Sequence, residues 1–175
     1  MRSDVISDSG SSDVSAHVLA QSTKRVRLQL ARTGALEITL GPAIASPDVL
    51  RFALATERLD PGDPFLQHKT TRRDLYERLF QAALAKGLDE VVFLNRRGEV
   101  AEASRHSVFV EVRGQLVTPP LSCGVLPGVL RQQLIADGRA TEQSVSIELL
   151  KSNPVMLGNS LHGLRAAQLT GRLVH

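Results

Sequence analysis

Tryptophan is absent from this 175-residue chain, tyrosine occurs once, and all aromatic residues together make up 3%. Single-stranded nucleic acid is held on stacked rings, so this partner is not expected. Cys123 is the one cysteine, which excludes an internal disulfide and a multi-thiolate zinc site. The cytoplasm is therefore the expected compartment. Lysine is confined to Lys24, Lys69, Lys86 and Lys151, so any lysine-dependent chemistry has few candidates. No stretch approaches the ~18 consecutive apolar residues of a membrane span, and the first residues lack the apolar centre of an export signal. No membrane partner and no metal are expected.

What is present fits an ordinary globular chain: 42% apolar, 22% charged, with 13 Gly and 8 Pro. A chain of this size buries roughly two-thirds of its unfolded surface, enough for a core without covalent staples. The net charge is +3, and 17 of the 21 basic residues are arginines scattered along the chain. Scattered cations suit a small anionic substrate better than a nucleic-acid backbone, which needs a basic block.

Residues 1–16 are rich in Ser and Asp without apolar periodicity, which predicts a disordered tail. Val26, Leu28 and Leu30 alternate with polar neighbours, Thr33-Gly34 turns the chain, and ALEITL resumes the alternation, so a hairpin is predicted. Val49–Ala55 is predicted to add a third strand, giving a partial small domain over 17–60. The Pro- and Gly-rich segment ERLDPGDPFLQH then marks a boundary, with a larger domain over 61–175. Within it, a helix is predicted from Thr71 to Lys86 with Gly87 as its left-handed cap. Strands are predicted at Glu90–Asn95, Glu99–Ala103, Ser107–Val112 and Gln115–Thr118. A short helix after Gly128 and strands at Gln143–Ile147, Val155–Gly158 and Leu164–Leu169 complete the reading.

Three local patterns suggest chemistry. Lys69, in HKTTRR, has His68, Arg72 and Arg73 close in sequence, and neighbouring cations favour the neutral amine that attacks a carbonyl. Taken alone, the pattern also reads as a solvated lysine before a helix. Glu102 lies among small residues in GEVAEAS, where a flat ring can approach and a carboxylate can pair with a pyridinium nitrogen. A strand-edge surface glutamate is the alternative. GVLPGVLR runs a Pro-Gly turn straight into a helix, which turns the amides of Val129 and Leu130 into free anion donors, and GNSL ends a strand with Ser160. Each of these turns also has a purely structural reading.

In order, HKTTRR-x-x-Y, GLDEVVFLNRRGEVAEASRHSVFV, LVTPPLSCGVLPGVLR and GNSLHGL resemble the fold-type IV pyridoxal phosphate enzymes, the class IV aminotransferase-like family. The resemblance spans about residues 24 to 172. It implies an α/β (mixed α+β) fold with a complete larger C-terminal domain, a partial small N-terminal domain, and a homodimer. It implies pyridoxal 5'-phosphate as cofactor, carried on Lys69. Glu102 is then the partner of the ring nitrogen, Leu126 packs on the ring face, and Val129, Leu130 and Ser160 hold the phosphate. HKTTRR and GNSLHGL look most like the group, often fused to a synthase, that eliminates pyruvate from 4-amino-4-deoxychorismate to give 4-aminobenzoate for folate biosynthesis. Transamination of a branched-chain or D-amino acid on the same scaffold is the alternative activity, and a non-catalytic interaction module is the alternative of a different class.

The chain departs from the family pattern at Arg72 and Ser107, where asparagine is common, at Leu130 in place of a hydroxyl residue, and at His162 in place of arginine. The first strand and helix of the family's small domain, with an arginine that reaches the cofactor phosphate, have no counterpart. A shortened chain of this kind is expected to leave an apolar sheet face open.

Overall fold

The computed structural model describes Val5–Ile6, residues 23–43 and residues 45–172. The remainder of the expected 1–16 tail lies outside the described residues. The chain divides into two compact units, one up to Ala45 and one from Ser46.

The first unit is a three-stranded sheet of β1 (Val5–Ile6), β2 (Lys24–Leu30) and β3 (Leu36–Pro42) in the order β1-β3-β2. The hairpin register sets Val26 opposite Leu40, Leu28 opposite Ile38 and Leu30 opposite Leu36. Because side chains alternate across a strand, these six apolar residues share one face. Val26, Leu28, Leu30 and Leu36 are more than half exposed on it. The turn closes through Gly34, whose φ of 86° lies in the left-handed region open to glycine.

The second unit is an eight-stranded sheet in the order β6-β5-β4-β11-β10-β7-β8-β9. It begins with β4 (Val49–Leu59), a longer strand than predicted, which pairs in parallel with β5 and β11 instead of joining the hairpin. The reason is burial on both faces: Leu50, Phe52 and Leu54 enter one core cluster and Ala53 and Ala55 another, as expected of a central parallel strand. Parallel neighbours need a crossover, supplied by helix α1 (Asp74–Ala85), which buries Tyr76, Leu79 and Ala83 at helical spacing. Gly87, at φ 71°, follows its C-terminus as predicted.

Strands β5 (Glu90–Asn95), β6 (Val100–Ala103), β7 (Ser107–Val112), β8 (Gln115–Thr118), β10 (Val155–Asn159) and β11 (Gly163–Arg172) lie close to their predicted positions. Helix α2 (Val129–Ala136) follows Gly128 as expected. The strand predicted at Gln143–Ile147 is not formed. A short β9 (Ala140–Glu142) precedes it, and helix α3 (Ile147–Ser152) starts within it. Ser146 explains the change, since its hydroxyl accepts from the Leu149 amide and caps the helix. No helix among the described residues is long and apolar enough to cross a membrane.

Candidate active site

Glu102 sits near the end of β6, where the pairing of β5 with β6 shifts register between Val92 and Leu94. Its side chain is buried on the side of the sheet that faces α1. Tyr76 Oη donates to Glu102 Oε1 at 2.6 Å, and the Leu126 amide donates to Oε2 at 2.8 Å. Burial raises the carboxyl pKa, opposed by these two hydrogen bonds and by Arg73. Burial also raises the Tyr76 phenol, reinforced by the Glu102 charge, so Tyr76 remains the donor.

Glu102, Tyr76 and Leu126 line one wall of a cavity of about 220 Å³, and the segment from Asp63 to Leu75 forms the rest. A short 3-10 turn over Pro64–Gln67, capped by Asp63, carries Phe65 and Leu66 into that wall. Gly124 makes this approach possible. A Cβ there would come within 2.9 Å of both Leu66 Cδ1 and Pro61 Cα, and its φ of 81° is left-handed. Arg73 holds the floor by donating to the Ser104 carbonyl and by placing its guanidinium 4.7 Å from the centre of the Tyr76 ring.

The loop after Glu102 is ordered by a carboxylate that sequence reading did not single out. Glu90 is fully buried and accepts from the Ser104 amide and hydroxyl, the Arg105 amide, the Val91 amide and His106 Nδ1. This network fixes the turn between β6 and β7, and so fixes where Ser107 begins its strand. The signal in sequence was weak: an acidic residue opening an otherwise apolar strand.

Two further segments converge at the same end of the sheet. Ser107 pairs with Gly158 across β7 and β10, and a Cβ on Gly128 would lie 3.2 Å from Ser107 Oγ. A Cβ on Gly158 would lie 2.9 Å from Leu130 Cδ2. The start of α2 therefore packs against the strand end that leads to Ser160. Gly128 offers no side-chain cap, which leaves the first-turn amides of α2, including those of Val129 and Leu130, available to an anion. Asn159 Oδ1 accepts from the Leu161 and His162 amides and shapes the exposed Ser160 turn. Arg131, buried, anchors α2 through the Pro119 carbonyl and Glu142.

Of the residues singled out from sequence, Glu102 and Leu126 meet directly. Leu130 reaches β10 at Gly158, just before the Ser160 turn, and Val129 is exposed. Lys69 is exposed: its neighbours His68 and Thr70 contribute to the cavity wall and its own side chain does not. Tyr76 and Arg73 belong to the site although only their motif, not their roles, was legible.

A mixed sheet with a buried carboxylate on a cavity wall and open helix amides at the same sheet end defines a candidate cofactor-binding enzyme scaffold. The sequence pattern of the amino-transferase class IV family matches residues 14–169, and the chain belongs to that family. Pyridoxal 5'-phosphate is the cofactor of this family. A Schizosaccharomyces pombe protein provisionally named an aminodeoxychorismate lyase is 28% identical over 149 residues, covering 79% of this chain and 64% of its own length. A Mesorhizobium loti structure provisionally named an amino-acid aminotransferase is 41% identical, with a TM-score of 0.83, covering 89% of this chain and 77% of that one. The branched-chain amino acid aminotransferase of Thermobaculum terrenum, solved in its pyridoxal phosphate form, shares the fold, with a TM-score of 0.65 at 21% identity over 77% of this chain and 48% of that one. The chain thus spans less than two-thirds of its yeast relative.

The residues present fit that cofactor at two points. Glu102 is a desolvated carboxylate in no ion pair among the described residues, and a protonated ring nitrogen would supply the missing positive partner. The uncapped start of α2 suits a phosphate.

Proposed function

We propose that this chain is a pyridoxal phosphate-dependent lyase that eliminates pyruvate from 4-amino-4-deoxychorismate and releases 4-aminobenzoate. The observation that carries the reading is the buried Glu102 carboxylate on the cavity wall, held by Tyr76 Oη and the Leu126 amide. The name of the yeast relative supports the reaction chosen. Homodimer formation and a cytoplasmic location are part of the same proposal.

When bound, pyridoxal phosphate supplies an electron sink for the bonds broken at the substrate. Glu102 keeps a proton on the ring nitrogen, because a buried carboxylate stabilises the cationic ring more strongly than water does. Leu126, which lines the cavity beside Glu102, would cover the ring and exclude water from it. The amides of Val129 and Leu130 and the hydroxyl of Ser160 bind the phosphate and fix the ring's orientation. Lys69 would hold the cofactor through its amine and, once released from it, would serve as the base that takes a proton from the substrate ring carbon and returns it to the departing pyruvate. Loss of pyruvate leaves an aromatic product, which makes the step favourable.

The test is borohydride reduction of the protein mixed with cofactor, followed by peptide mass spectrometry, alongside a coupled pyruvate assay. The expected result is an adduct on Lys69 and turnover that disappears in Lys69→Ala. An adduct on no lysine overturns the cofactor assignment. An adduct without pyruvate release above the Lys69→Ala background overturns the reaction and leaves a cofactor-binding scaffold, whose aminotransferase activity is then measured with branched-chain and D-amino acids.

A further inference from the structure

We infer that Arg72 is the carboxylate-recognising residue of this cavity and selects substrates that carry an anionic group beyond the reacting amine, an inference that rests on the function proposed above. The cavity wall holds two adjacent arginines with different surroundings. Arg73 is committed to the Ser104 carbonyl and the Tyr76 ring. The Arg72 guanidinium makes no hydrogen bond and no ion pair among the described residues. Its carbon sits 4.4 Å from the centre of the Phe65 ring. Stacking on an aromatic face restrains an arginine and leaves the edge of its planar fork open, the arrangement suited to a two-point grip on a carboxylate.

The surrounding charges do not cancel this role. Asp63 Oδ1 is engaged by the Phe65 amide, and Asp74 opens helix α1. Glu102 is held by Tyr76 and Leu126. The Arg72 amide donates to Thr70 Oγ1, which fixes the short loop between Lys69 and α1. Arg72 stands three positions after Lys69 on this loop, and it lines the cavity whereas the Lys69 side chain does not, so an anionic group entering the cavity meets the free guanidinium. The phosphate donors Val129, Leu130 and Ser160 do not line this wall, so the anion that meets Arg72 belongs to the substrate and not to the cofactor.

The experiment compares binding of 4-aminobenzoate and 4-aminobenzamide, which differ in the carboxylate, to the wild type, Arg72→Gln and Arg72→Lys, each with and without cofactor. Cofactor affinity is titrated in parallel. Wild type is expected to prefer the carboxylate about tenfold, the gain typical of one charge-assisted contact. Arg72→Gln is expected to bind both ligands alike, Arg72→Lys to retain part of the preference, and all three to bind cofactor equally. A preference that survives in Arg72→Gln overturns the inference. So does a loss of cofactor affinity in Arg72→Gln that inorganic phosphate competes for, since Arg72 then serves the phosphate. Carboxylate preference in the cofactor-free protein reports on Arg72 even if Lys69 forms no adduct, so the two readings fail separately.

Discussion

Tyr76 Oη lies 2.6 Å from Glu102 Oε1 and joins helix α1 to strand β6 inside the cavity wall. The bond couples the segment that carries Lys69 to the carboxylate proposed to face the cofactor ring. Tyr76→Phe keeps the ring's contact with Phe93, 4.8 Å between centroids, and removes only the donor. Leaving a buried carboxylate oxygen without that partner costs about 1–3 kcal/mol. The cofactor-free variant should melt roughly 3–10 °C below wild type. An unchanged melting temperature would show that the bond contributes nothing to folding.

Glu102→Gln retains an oxygen that can accept from Tyr76 but replaces the charge with a neutral amide. The cofactor should still load on Lys69, as read by reduction and mass spectrometry. Pyruvate release should slow by about a hundredfold, corresponding to about 3 kcal/mol for one well-aimed electrostatic contact in a dry site. Normal turnover in the loaded variant removes Glu102 from the mechanism.

The same carboxylate makes a prediction about pH. Burial raises its pKa above the ordinary 4.5 in the folded chain, while the unfolded chain keeps the ordinary value. Its stabilising contribution is then fully present below the unfolded value and is lost as pH rises through the folded one. In cofactor-free protein, the stability of wild type relative to Glu102→Gln should therefore decline as pH is raised from about 4 to neutrality. Urea unfolding at several pH values checks this, and a difference that is flat or rises with pH contradicts it.

Gly158 tests the convergence of α2 with β10. A Cβ at this position would meet Leu130 Cδ2 and Leu164 Cδ2 at 2.9 Å and the Gly163 carbonyl at 3.3 Å. Gly158→Ala should lose about 1–3 kcal/mol through overpacking, measured by urea unfolding. Adding Leu130→Ala should recover part of that loss. Additive losses in the double variant would mean that Leu130 does not occupy the space.

Much of the fold was legible because its signals are local. The apolar runs at β5, β7 and β10 are bounded by turn residues, and Gly87 and Gly128 punctuate α1 and α2. The segment Gln143–Ile147 was misread because one polar atom decided it: Ser146 caps a helix where periodicity suggested a strand. Strand β4 was read correctly as a strand but assigned to the hairpin, since nothing in its own residues states which neighbours it pairs with.

The sequence by itself determined the ordered set of motifs, hence the family, the small set of lysines, and the positions of Glu102, Leu126 and the helix start at Val129. Tertiary structure alone decided that Tyr76 and Leu126 grip Glu102, that Glu90 gathers the turn from Ser104 to His106, and that Arg73 is committed while Arg72 is not. The reason is physical. Motif identity depends on residue type and spacing along the chain, whereas burial, hydrogen-bond partnership and the charge a site presents depend on residues brought together from distant segments. Glutamates 90 and 102 are the same side chain on adjacent strands, and only their surroundings make one an organiser of backbone amides and the other the carboxylate of the cavity wall.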